Sequence, residues 1–256
     1  MADNQYGFPT EVLSLPSKGL LYPKDSPLSK GTIDVKYMTA KEEDILTSQN
    51  LIEQGVVIDR LLESVIVTPN VKLGDLLIGD KNAIMIGTRI LGYGKDYPIT
   101  IIDPDSGESV ESEIDLSKLN DVEFDESVFK GENKFSYTLP NSNRTIEFKL
   151  FTHQDELELD TLIQNYEKAT ELTGVNNELT LRLKKQILSV DGITDQQTID
   201  NFVDNEFLSL DTREFRKYVK SIQPDVDMSI SYTSKVGKKH QVPIALGIDF
   251  FWPAGE

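Results

Sequence analysis

Leu15-Pro16-Ser17-Lys18-Gly19-Leu20-Leu21-Tyr22-Pro23 is followed by Gly31-Thr32-Ile33-Asp34-Val35-Lys36-Tyr37 and then by Thr39-Ala40-Lys41-Glu42-Glu43-Asp44. The three pieces read as an extended anchor, a strand and a capped helix. Pro16, Gly19 and Pro23 are spaced so that no helix can form across the first piece. It nevertheless carries Leu15, Leu20, Leu21 and Tyr22, apolar side chains that a rigid segment is expected to lay against something. Ile33, Val35 and Tyr37 alternate with Asp34 and Lys36, the two-residue period of a half-buried strand. Thr39 stands where an N-cap belongs, and Glu42 three residues later completes a capping box. Glu43 and Asp44 add negative charge at the positive end of the helix.

Working outward, the 256 residues are 38% hydrophobic and 27% charged, enough for a packed core in one large domain or two smaller ones. The net charge of −17 argues against a general phosphate-binding surface, so no nucleic-acid partner is expected. With no cysteine, disulfides, thiolate nucleophiles and Cys-ligated zinc are excluded. Met1-Ala2-Asp3-Asn4-Gln5 has neither a basic nor an apolar segment, and no apolar run approaches the ~20 residues of a membrane span, so neither a leader nor a membrane partner is expected.

Along the chain, the Thr39 helix is expected to end at Gly55, and a second helix over 56–66 to stop before Pro69. Leu73, Leu76, Leu77 and Ile78 are expected to form a short apolar turn or helix. Asp80 is expected to cap a central helix ending at Gly92-Tyr93-Gly94. A strand over 98–102, the turn Asp103-Pro104-Asp105-Ser106-Gly107 and a return strand over 110–116 follow. After an acidic loop over 120–126, a second hairpin spans 134–139 and 144–151. Helices resume near His153. One closes at Gly174. The next is capped by Asn176 or Asn177 and carries Leu179, Leu181, Leu183, Ile187, Leu188 and Val190. A shorter one is capped by Thr194 or Asp195, and a last one is capped by Asp211 and stopped by Pro224. Ile230-Ser231-Tyr232 and 242–251 form a final hairpin around Val236 to Lys239. The fold class expected is α+β: a mainly helical body, an inserted β-hairpin region over about 96–150, and a C-terminal β-hairpin. The organisation divides into 1–95, 96–150, 151–224 and 225–256.

Candidate chemistry is thin. Gly92-Tyr93-Gly94-Lys95 lacks the glycine spacing and the Ser or Thr of a phosphate loop, and it follows a helix where a phosphate loop precedes one. Asp103-x-Asp105-x-Gly107 has its glycine fifth and Ile114 twelfth, where a calcium loop needs glycine sixth and glutamate twelfth. The same turn has the outline of a C-P-x-C-G zinc knuckle with both cysteines replaced, so no metal is expected there. His153 and His240, each flanked by polar residues, read as surface or capping histidines. No G-x-S-x-G or H-E-x-x-H motif is present, and no cofactor is expected. Phe250, Phe251 and Trp252 cluster near the end of the sequence. Like Leu20, Leu21 and Tyr22, they either pin their segment to the core or face a partner as aromatic anchors.

The L-P-S-K-G-L-x-Y-P opening at Leu15, the G-x-I-x-V-K strand at Gly31 and the T-A-x-x-E helix start at Thr39 resemble the baseplate hub proteins and hub assembly factors of T4-type contractile-tailed phages. The resemblance continues in order through Asp75-Leu76-Leu77-Ile78-Gly79-Asp80, Arg89-Ile90-Leu91-Gly92-Tyr93-Gly94-Lys95-Asp96-Tyr97 and Phe250-Phe251-Trp252-Pro253. It implies non-enzymatic work in tail baseplate assembly through contacts with other hub, spike, tail-tube or tape-measure proteins, or with copies of itself. It places the protein in the host cytoplasm during assembly and in the virion tail if retained. Two alternatives stand beside it: a tail assembly chaperone absent from the mature virion, and a hub-associated hydrolase.

Overall fold

A computed structural model describes residues 7–129, 131–169 and 177–251. The architecture is α+β, with eight α-helices and four small antiparallel sheets among the described residues. Strand β1 (Thr10–Ser14), which the sequence reading did not anticipate, pairs with β2 (Thr32–Lys36), so Ile33 and Val35 point into the core. The intervening anchor is a chain of turns rather than an extended segment. Lys18 and Gly19 both have positive φ, and a Cβ on Gly19 would stand 2.4 Å from the Ser29 carbonyl oxygen. Only glycine fits that turn.

The Thr39–Glu42 capping box forms. The helix it starts is broken into α1 (Ala40–Leu46) and α2 (Gln49–Glu53), because Ser48 takes an extended conformation between them. Gly55 adopts positive φ. Helix α3 (Val57–Val65) buries Val57, Leu61, Leu62 and Val65. Helix α4 (Ile78–Tyr93) begins two residues before Asp80, so Asp80 lies in the first turn and is not its cap. Gly94, with φ of 85°, ends it.

Strands β3 (Asp96–Ile102) and β4 (Ser109–Asp115) form the first expected hairpin. The second, β5 (Phe135–Thr138) and β6 (Thr145–Phe148), gains a third strand. Helix α5 (His153–Ala169) and helix α6 (Glu178–Gln186) come first, and then the chain turns extended as β7 (Ile187–Val190) along β6. Ile187, Leu188 and Val190 were expected to continue the helix. Instead, Ile187, Ser189 and Val190 are buried in the sheet. The candidate cap Asn176 and the stop at Gly174 lie outside the described residues.

Asp195 caps α7 (Gln196–Asn201), accepting from the Thr198 amide at 2.9 Å. A π turn, Phe202–Glu206, leads to α8 (Ser209–Ile222). Asp211 does not cap α8. It is fully buried and accepts from the Asn141 and Ser142 amides at 2.8 and 3.0 Å, holding the β5–β6 turn to the helix. Phe148 packs edge-on against Phe215 at 4.9 Å, joining the three-stranded sheet to α8. The last hairpin is β8 (Ser229–Thr233) and β9 (Lys239–Pro243). The returning strand ends at Pro243, short of the expected 251, and Ile248–Phe251 is a single 3-10 turn. One hydrophobic core cluster runs from Leu15 to Phe251.

Candidate functional site

The anchor meets α4 at a buried carboxylate. The turns at Lys18 and Gly19 aim Ser17 and Tyr22 at the first turn of the helix. Asp80 accepts from the Ser17 amide at 2.9 Å, the Ser17 hydroxyl at 2.6 Å and the Tyr22 hydroxyl at 2.5 Å. The Tyr22 oxygen in turn accepts from the Leu77 amide at 2.9 Å, one of the helix-start donors that the helix itself cannot pair. Burial pushes the Asp80 carboxyl above its ordinary range, against the pull of the Ser17 and Tyr22 hydrogen bonds. Burial and the neighbouring Asp80 charge likewise push the Tyr22 phenol up. A raised carboxyl pKa is one mark of a general acid. Asp80, however, is 0% exposed, so a substrate has no path to it.

The same helix end receives a third segment. The Pro224 carbonyl oxygen comes so close to Gly79 that a Cβ there would lie 2.0 Å from it. Asn82 donates to Asp225 at 3.0 Å, and Asp121 bridges to Val226. Beside the anchor an open groove of about 640 Å³ is lined by Leu21, Tyr22, Asp75, Leu77, Lys149 and Asp155. Its cation and one of its carboxylates face each other, with Lys149 2.6 Å from Asp155.

The far part of α4 holds the 3-10 turn at Phe250. Arg89 is 2% exposed and donates to the Phe250 and Gly94 carbonyls, each at 3.1 Å. Its guanidinium lies 5.0 Å from the Tyr93 ring centre and 5.7 Å from that of Tyr97. Among the described residues no carboxylate pairs with it, and burial lowers its pKa.

Two further polar clusters carry titratable groups. His153 is buried at the start of α5, so of the two roles expected for it, surface or capping, the surface one does not hold. Lys81 reaches both Asp59 at 2.9 Å and His153 Nδ1 at 3.0 Å, while His153 Nε2 lies 3.0 Å from Asp59. The ammonium can only donate, so Nδ1 accepts and the ring proton sits on Nε2, facing Asp59. Burial opposes ionisation of Asp59, but the bonds from His153 and Lys81 win and lower its pKa.

The second cluster fastens the tips of the β3–β4 and β8–β9 hairpins together. Asp103 accepts from the Tyr232 hydroxyl at 2.8 Å and the Lys235 amide at 3.3 Å. Asp105 faces Lys238 at 3.0 Å and His240 at 2.9 Å. Its carboxyl is held below the usual range first by Ser234, then by His240 and Lys238. Lys235 also pairs with Glu108. Among the described residues no group of three or more His, Cys, Asp or Glu side chains is arranged to hold a metal.

Residues 20–252 match the T4 bacteriophage base plate protein family. The chain belongs to that family. Neither the curated proteins nor the solved structures give a significant match. Among the described residues, no helix of this base plate protein is long and apolar enough to cross a membrane.

Of the six residues singled out as partner anchors, this base plate family member buries Leu21, Tyr22, Phe250 and Phe251 in its own core. Leu20 is half-buried, and Trp252 lies outside the described residues. The fold does not gather them at one site. Leu20, Leu21 and Tyr22 belong to the anchor at the start of α4, and the phenylalanines pack near Arg89 and Tyr97. Sequence reasoning missed Ser17, Arg89 and Asp211 as fastening residues. Arg89 carried a signal: it interrupts the apolar run Ile86 to Leu91 and stands four residues before Tyr93.

Proposed function

We propose that this base plate protein acts at the hub of a contractile tail as a non-enzymatic component, working through contacts with neighbouring hub, spike or tail-tube proteins. One observation carries the reading. The carboxylates Asp59, Asp80, Asp103 and Asp105 and both histidines each fasten one segment of the chain to another. Asp80 ties the anchor to α4, the Asp59–Lys81–His153 group ties α3, α4 and α5 together, and Asp103 and Asp105 tie two hairpins together. Such groups set shape, and shape is what an assembly component offers its neighbours.

Mass spectrometry of purified virions tests this. The chain is expected among the baseplate peptides at a fixed ratio to other hub proteins. Its absence from virions, with presence in assembly intermediates, replaces the component reading with that of an assembly chaperone. Peptidoglycan clearing by the purified chain, lost on changing Asp59 to Asn, would replace both with a hydrolase.

A further inference from the structure

Helix α8 has two unlike faces. The inner one buries Thr212, Phe215 and Ile222 together with Asp211. The outer one presents Arg213, Arg216, Lys217 and Lys220, all exposed, at spacings of three and four residues that put them on one stripe. Lys217 pairs with Glu214 at 2.7 Å. Arg213, Arg216 and Lys220 make no ion pair or side-chain hydrogen bond with any described residue, although Asp227 feels the charge of Lys220. Like charges three and four apart on a helix repel each other, so the stripe works against the helix that carries it.

This is unusual on a chain of net charge −17. The cations of the neighbouring helix α6 are matched, Arg182 with Glu156, Lys184 with Asp204 and Lys185 with Glu158, and of the other helical cations Arg60 and Lys81 are matched while Lys41 and Arg89 pair with no described carboxylate. At the start of α8 two leucines stand out in solvent, Leu208 at 49% and Leu210 at 62% exposure.

We infer that the outer face of α8 docks an acidic protein surface of a neighbouring base plate protein. The inference rests on the assembly role proposed above and adds the chemistry of one partner. Three unmatched cations call for carboxylates, and the arginine forks donate to them two bonds at a time. Leu208 and Leu210 supply apolar contact at the edge of the stripe, where a phosphate backbone has nothing to pack. Duplex DNA carries a charge every ~1.7 Å of its axis, a density that the rest of this acidic chain repels.

The test places the photo-crosslinking residue p-benzoylphenylalanine at position 210 of the full chain, made in infected cells and irradiated during tail assembly before lysis. Cross-linked peptides are then sequenced. The expected product joins position 210 to another base plate protein within a net-acidic stretch. Adding R213E, R216E and K220E lowers its yield about tenfold or more, because contact at a charged rim follows electrostatic complementarity. The milder set R213Q, R216Q and K220Q lowers it less and decides the matter if the glutamate set fails to fold, which thermal unfolding reports. Cross-links to DNA, to another copy of this chain or to a neutral or basic stretch overturn the inference, as does no cross-link or a yield indifferent to these changes. Irradiation before lysis records the contact whether or not the chain stays in the finished particle. Virion mass spectrometry therefore scores the proposed role separately.

Discussion

Asp80 and Asp105 do similar jobs in unlike surroundings. Each is an aspartate that fastens one segment to another over a long stretch of sequence: 63 residues from Ser17 to Asp80, 135 from Asp105 to His240. Asp80 is sealed in the core, is bonded by neutral donors, and has its carboxyl pushed up by burial. Asp105 sits at the rim between hairpin tips, is bonded by Lys238 and His240 as well as Ser234, and has its carboxyl held down. The difference teaches where stability resides. A buried acceptor cannot be replaced by water, so its loss leaves donors stranded. A rim acceptor is replaced by water at little cost, so its role is orientation.

Removing the inner acceptor should have the largest effect. Asp80→Ala strands the Ser17 amide and hydroxyl and the Tyr22 hydroxyl in the core, and is expected to cost about 3 kcal/mol in a denaturant titration. A loss indistinguishable from that of a surface substitution would erase the contrast. Gly79→Ala attacks the same junction by crowding, since its new methyl would meet the Pro224 carbonyl. It should cost about 2 kcal/mol and speed hydrogen exchange near Val226 more than near Phe250.

A smaller effect separates the two kinds of acid by pH. Burial opposes ionisation of Glu42, but hydrogen bonds from Lys36, Ser64 and Thr39 outweigh it and lower its pKa from 4.5 to about 2. Its folded-state value is depressed, so its contribution is full above pH 4.5 and disappears as the pH falls towards 2. For Asp80 the sign is reversed. Its raised pKa gives a contribution that is complete at low pH and declines as the pH rises through the folded-state value. Glu42→Gln should therefore flatten the stability curve between pH 4.5 and 2, measured by thermal unfolding at a series of pH values. Asp105→Asn should do least. The melting midpoint is expected to stay put, while hydrogen exchange quickens at the amide of Lys238, which donates to the Ser234 hydroxyl that Asp105 holds, and not at the Lys235 amide, which Asp103 holds.

What the sequence disclosed was local. The Thr39–Glu42 box, the β3–β4 turn and the Gly94 stop depend on residues within a few positions of one another, and all three formed. Strand β7 was misread because Gln186 and Ile187 carry no breaker between them. The apolar run suits a helix face as well as a buried strand, and pairing with β6 decided it. Asp80 and Asp211 were both read as caps because an aspartate near a helix start usually caps it. Their true partners are Ser17 and Asn141, 63 and 70 residues away, which no local pattern records. Apart from Arg89, the fastening residues were illegible for the same reason. Their chemistry is ordinary, and only the fold supplies the partner.

Helix α4 is gripped near both ends. Ser17 and Tyr22 hold Asp80 in its first turn, and the Phe250 carbonyl holds Arg89 nine residues on, about 13.5 Å along the axis. A pull entering through the anchor and leaving through the segment at Phe250 thus runs lengthwise through a single rod, in series with its backbone hydrogen bonds. That makes α4 a tie-bar between the turn at Ser17 and the turn at Phe250.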